Sequence, residues 1–136
     1  MRRTIRVDRA RKEDLLAIAQ LNRECFPKDN PFPPNALKWV KGHFYGSLVH
    51  TYYVARTSPE IVGYVLWIEK GGFRPEAVLE LEDIGVTGEQ RGRGIGTILI
   101  QQSLRDYVKH TLLSPEYRRL DNVVVTTGVE NQAQQL

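Results

Sequence analysis

The chain has 136 residues, 41% hydrophobic and 26% charged, a size and composition that fit one globular domain and exclude a disordered chain. A net charge of +3 is too small to argue for nucleic acid by itself, and the single cysteine, Cys25, excludes an intrachain disulfide and a paired-cysteine metal site. The first residues lack an apolar signal region and no apolar run approaches the ~20 residues of a membrane span, so a cytoplasmic protein with no membrane partner is expected.

Ile5 and Val7 alternate with polar neighbours in TIRVDRA, which predicts a short strand. KEDLLAIAQLNRECF follows, with Leu15, Ile18, Ala19, Leu21, Asn22 and Cys25 at helical spacing and acids placed early, where the helix dipole favours them. Pro27 ends that helix, and PKDNPFPP is a loop on its proline content. Asn35 is the expected cap of a second helix whose buried stripe is Leu37, Val40 and Phe44. SLVHTYYVART and EIVGYVLWIEK are rich in β-branched and aromatic residues and are joined by TSPE, which predicts an antiparallel hairpin. GGFRPE leads to a third strand, AVLELEDIGV. A helix from about Gly96 to His110, the connector TLLSPEYRRL, a buried strand DNVVVTTGV and the start of a helix at ENQAQQL complete the chain. The order β-α-α-β-β-β-α-β-α predicts a mixed α/β domain, mostly antiparallel, with one parallel pair made by the strand–helix–strand crossover.

EQRGRGIGT, Glu89 to Thr97, sits between that third strand and the following helix, with Gly92, Gly94 and Gly96 at alternate positions. It has no Gly-Lys followed by Ser or Thr, so it is not a Walker loop. Counting from Gly92, the sixth residue is Thr97, so the dinucleotide spacing G-x-G-x-x-G also fails. A run of backbone amides at a helix N-terminus remains, with Arg91 and Arg93 adding positive charge suited to a pyrophosphate. A plain glycine turn with two solvated arginines is the competing reading. The preceding strand favours the anion site. Leu79 and Leu81 face one side, and the apolar pattern then slips by one residue to Ile84 and Val86. Such a slip is the mark of a β-bulge, which bends the strand and frees backbone groups.

Arg91-Gly92-Arg93-Gly94-Ile95-Gly96, placed after a bulged strand and before an amphipathic helix, resembles the signature of the GNAT N-acetyltransferase superfamily, including its ribosomal-protein N-terminal acetyltransferase-like members. The order of elements is similar along essentially the whole chain, 1–136, read as one acetyl-CoA-binding domain. The resemblance implies a GNAT fold with helices on both faces of the sheet and acetyl-CoA as cofactor. The pyrophosphate is then expected on the amides of residues 91–96, with Thr97 and Asn131 nearby. The pantetheine arm is expected along Ile84, Gly85 and Val86, and the strand carrying Val123 to Thr127 is expected to splay away from it.

The reaction so implied is direct attack of a primary amine on the thioester, assisted by a general base, with bulge amides stabilising the developing negative charge. Glu80 and Glu82 are the candidate bases, against the reading that both are ordinary polar-face residues; Glu82 shares a face with Glu80 only if the strand is regular to that point. Asp83 sits in the slip and is read as satisfying bulge amides. Thr126 stands where some relatives carry a glutamate, and ENQAQQL matches the family's final helix only in part, so the last two family strands are expected to be missing. An open apolar edge on the final strand would invite pairing with a second copy. The alternative function is a non-catalytic acyl-CoA-binding or regulatory module. Cys25 is read as a small buried hydrophobe. Trp39 and Phe44 are candidates for an acceptor groove, Phe44 being better explained by core packing. His43 and His50 are candidate proton relays or satisfied histidines. RNA or DNA binding through RGRG lacks the supporting stacking aromatics, so no nucleic acid and no metal are expected.

Overall fold

The computed structural model describes residues 4–28, 33–90 and 92–125. The strands β1 (Arg6–Arg9), β2 (His50–Thr57), β3 (Glu60–Lys70), β4 (Glu76–Val86) and β5 (Arg119–Val125) form one sheet in the order β1-β2-β3-β4-β5. Pairing is antiparallel from β1 to β4 and parallel between β4 and β5. Helices α1 (Leu15–Cys25) and α2 (Pro33–Gly46) cover one face, and α3 (Ile95–His110) covers the other.

The near-continuous apolar runs of β2 and β3 follow from this two-sided cover. Tyr52, Val54, Tyr64 and Leu66 pack with Ile18 and Leu21 of α1 and Val40 of α2. Their alternating neighbours Tyr53, Ala55, Val65 and Trp67 pack with Ile95, Leu99 and Tyr107 of α3. Ile18 and Leu99 have no exposed surface, and burying each contributes about 1.5–3 kcal/mol.

A buried ion pair fastens the connector after α3 to the sheet. Arg118 donates to Glu69 of β3 and also to the carbonyls of Lys70 at 2.7 Å and Arg74 at 3.0 Å. Glu69 further accepts the Tyr107 hydroxyl at 2.7 Å and the Leu113 amide at 3.1 Å. That anchoring sets where the chain enters β5.

Two expectations change. Helix α2 begins at Pro33, so Asn35 lies inside its first turn rather than capping it. Proline suits a first helical position because its φ is fixed there and its missing N–H is no loss. The strand expected to be buried, β5, is only partly covered: Leu120 and Val123 pack against the α3 side, while Val125 is exposed. It ends the sheet among the described residues, so it has cover from one neighbouring strand only. Arg91, Thr126, Thr127, Glu130, Asn131, Ala133 and the final helix lie outside the described residues. No helix among the described residues is long and apolar enough to cross a membrane.

Candidate active site

The slip in the β4 pattern is a bulge. Leu66 of β3 stands opposite Asp83 and its neighbour Trp67 opposite Leu81, so Glu82 is the extra residue. Leu79, Leu81, Ile84 and Val86 consequently all face α3. Asp83 and Gly85 instead stand opposite Leu66 and Tyr64, on the α1/α2 side. Gly85 permits a close approach there: a Cβ would fall 2.6 Å from the Tyr64 ring and 3.2 Å from Cys25 Sγ. The pairing of β4 with β5 reaches Leu81–Val125, so Ile84, Gly85 and Val86 lie beyond it, paired through β3 with Val65, Tyr64 and Gly63.

The glycine turn lies just beyond. A 3₁₀ turn over Gly88–Gln90 leads to Gly92 and Gly94, with φ of 81° and 79°. Both are left-handed conformations that only glycine adopts cheaply, and a Cβ on either would meet nothing within 4 Å, so the turn is open on its outer side. Gly94 is the N-cap of α3 and supplies no side-chain acceptor. The first hydrogen bond of the helix runs from the Ile98 amide to the Gly94 carbonyl at 3.1 Å, leaving the amides of the first turn without intrahelical acceptors. Gly63 lets this end of α3 sit on the sheet, since a Cβ there would lie 2.8 Å from Leu99 and 3.5 Å from Ile95. Gly96 in turn sits over the Ile84 side chain. Arg93 and Thr97 are exposed beside the turn and Ile95 is buried beneath it. The structure thus brings Ile84, Gly85, Val86 and Gly92 to Thr97 together.

On the opposite face a cavity of about 800 Å³ opens between Asn22 and Asp83 on one wall and one face of α2 on the other. Asn35, Lys38, Trp39, Gly42 and His43 make up that helical face. Their separations of three and four residues keep them on one side of the helix. Trp39 is exposed there and meets His43 edge to face, with centroids 5.2 Å apart. Phe44 packs against the core instead.

Asp83 is the half-buried acid of this cavity. Its Oδ2 accepts the Tyr64 hydroxyl at 2.7 Å and the Asn22 amide nitrogen at 2.9 Å, and its carboxylate also takes the Ile84 backbone N–H. No lysine or arginine forms an ion pair with it among the described residues. Burial dominates, pushing its pKa up from 3.8 to about 6 against the lowering effect of these donors, and nearby Glu82 adds to the rise.

His43 and His50 stack nearly parallel, centroids 4.4 Å apart. His43 Nδ1 shares a hydrogen bond with the Tyr52 hydroxyl at 3.0 Å, and His50 Nδ1 with the Ser47 hydroxyl at 2.7 Å. Burial first, then the His50 charge, drives the His43 pKa down to about 4, so this imidazole is neutral in neutral solution. Burial also lowers His50.

Of the two glutamates read from the sequence, Glu80 is buried and ion-paired to Lys70 at 3.0 Å. Glu82, the extra residue of the bulge, is exposed. The strand is regular up to Leu81, and the Glu82 charge acts on His50, Tyr52 and Asp83. Neither lines the cavity. Asp83 does, and its significance was hidden because its donors come from 61 and 19 residues away. The polar and aromatic spacing at 35, 38, 39, 42 and 43 was the visible signal for the cavity. Among the described residues no cluster of His, Cys, Asp or Glu is arranged to hold a metal.

The profile of the Acetyltransferase (GNAT) family matches residues 15–133, and the chain belongs to that family. N-alpha-acetyltransferase RimI of Mycobacterium tuberculosis (strain ATCC 25618 / H37Rv) is 32% identical over 108 residues, which are 79% of this chain and 64% of that protein. An uncharacterised protein of Mycobacterium leprae (strain TN) is 34% identical over 91 residues, covering 67% of this chain. This chain spans 24% of the length of the M. leprae protein and 64% of that of RimI. Among solved structures, aminoglycoside N-acetyltransferase AAC(6')-Iy in complex with CoA shares the fold, with a TM-score of 0.73 at 16% identity over 99% of this chain and 84% of that one.

Proposed function

We propose that this chain is an acetyl-CoA-dependent N-acetyltransferase that transfers the acetyl group directly to a primary amine. The observation that carries the reading is the uncapped N-terminus of α3, opening at Gly92 and Gly94 beside the β4 edge that the Glu82 bulge sets apart. The residues fit the cofactor. First-turn amides and Arg93 suit a pyrophosphate, and Arg91 adds a second cation in the sequence. The backbone of Ile84, Gly85 and Val86 suits the amides of a pantetheine arm, with Asn131 a further candidate contact from the sequence.

When bound, acetyl-CoA supplies a thioester carbonyl carbon reactive enough to need no covalent enzyme intermediate. Asp83 is the best-placed base, on the cavity side of the bulge and with a pKa near the working range. The acceptor enters as an ammonium and gives a proton to the Asp83 carboxylate. Its nitrogen would then bond to the thioester carbonyl carbon as the C–S bond breaks, and the second proton that the nitrogen loses on becoming an amide would pass to the departing sulfur. Tyr64 and Asn22 hold the carboxylate in place. Glu80 would have to release Lys70 to serve as base, and Glu82 would act from the exposed edge of the bulge.

Calorimetry with CoA, followed by an assay of thiol release with an amine panel, tests the reading. Saturable CoA binding with amine-dependent thiol release is expected. A folded protein that gives no binding heat contradicts it, and binding without turnover on any amine identifies a non-catalytic acyl-CoA-binding module instead.

A further inference from the structure

The charges facing the cavity are sparse. Among the described lining residues, Asp83 supplies one carboxylate and Lys38 one ammonium, while Asn22, Asn35, Trp39 and His43 are neutral in neutral solution. Lys38 is exposed on the α2 face and makes no ion pair among the described residues, whereas Lys70 and Arg56 on the same sheet are paired with acids. Among the described residues a polycationic amine finds one acid lining this cavity, with Glu82 acting from beside it, and a lysine that repels its second charge. A singly charged amine carrying an acid group on the same molecule finds a partner for each charge.

We infer that the acceptor is zwitterionic, its amine directed to Asp83 and a carboxylate of the same molecule directed to Lys38. This rests on the acetyltransferase reading and adds the chemical class of the substrate. Gly42 contributes space, since a Cβ there would meet nothing within 4 Å. Trp39, next to Lys38 in the chain and one turn before His43, offers an apolar wall to the same cavity. The carboxylate has two possible sources: that of a free amino acid, or an acidic side chain near a peptide's amino end.

The test compares four acceptors: a free amino acid, an amidated dipeptide with an acidic second residue, its neutral analogue, and a polyamine. Initial rates are measured alongside quenching of indole fluorescence, which reads cavity occupancy without turnover because Trp39 is exposed and Trp67 is buried. At least one acid-bearing acceptor is expected to exceed its neutral analogue and the polyamine by about five- to tenfold in kcat/KM and in half-saturation of quenching. Lys38→Glu is expected to erase that preference and raise the polyamine. The two acid-bearing arms show which source is used. A wild-type preference for the polyamine or the neutral analogue overturns the inference, as does a Lys38→Glu variant with unchanged ratios. If CoA binding and thiol release are both absent, the acetyltransferase reading fails; the quenching still reports the charge preference of the cavity.

Discussion

Two carboxylates on neighbouring strands, the buried Glu69 of β3 and the half-buried Asp83 of β4, are treated in opposite ways. Glu69 meets a guanidinium, a tyrosine hydroxyl and a backbone amide, and is sealed from solvent. Asp83 meets a tyrosine hydroxyl, a side-chain amide and its neighbour's N–H, with no cation among the described residues, and opens on a cavity. A charge given its counter-charge becomes a fastening. A charge given only neutral donors stays able to take up a proton, at the cost of some stability.

The contrast can be broken from either end, beginning with the largest effect. Asp83→Asn should lower the acetylation rate by about 10²–10⁴-fold while leaving CoA affinity unchanged, as thiol release and calorimetry would read. Glu80→Gln and Glu82→Gln are the parallel variants, with smaller losses expected. Arg118→Met leaves the Glu69 charge buried without its partner and should cost about 3–5 kcal/mol in denaturant unfolding.

Asp83→Asn should also stabilise the protein in alkaline solution. The folded pKa of Asp83 is raised from 3.8 to about 6, so the native state holds the proton more tightly than the unfolded chain. Its favourable contribution is full below pH 3.8 and is lost as pH rises through about 6. Removing the titration should therefore gain on the order of 1–3 kcal/mol at pH 8, shrinking towards acid pH, as melts across the pH range would show. The smallest change is expected from Tyr64→Phe. Deleting one hydrogen bond to the charged form should move the acid limb of the pH–rate profile upward by less than about one unit.

The sequence made β4 legible because one of its faces packs against α3. Leu79 and Leu81, then Ile84 and Val86, carry a two-residue period that a single inserted residue visibly breaks. The glycine turn was legible for a related reason, since positive φ at Gly92 and Gly94 restricts the residue type. The base was not. Glu80 and Glu82 look alike in a string, and only the pairing with β3 shows one ion-paired, the other extruded and Asp83 turned into the cavity. Asp83 owes its character to Asn22 and Tyr64, contacts that no local pattern encodes. The Glu69–Arg118 pair, 49 residues apart, was invisible for the same reason. At α2, Asn35 was a good cap by type, but Pro33 had already begun the helix.

The most direct measurement is the pH dependence of kcat/KM for acetyl transfer, in the wild-type protein and in Asp83→Asn. The wild type should show an acid limb with an apparent pKa of about 6, rate rising as the carboxylate ionises, and the variant should lose both the rate and that limb. An unchanged profile in Asp83→Asn would contradict the assignment of Asp83 as the base.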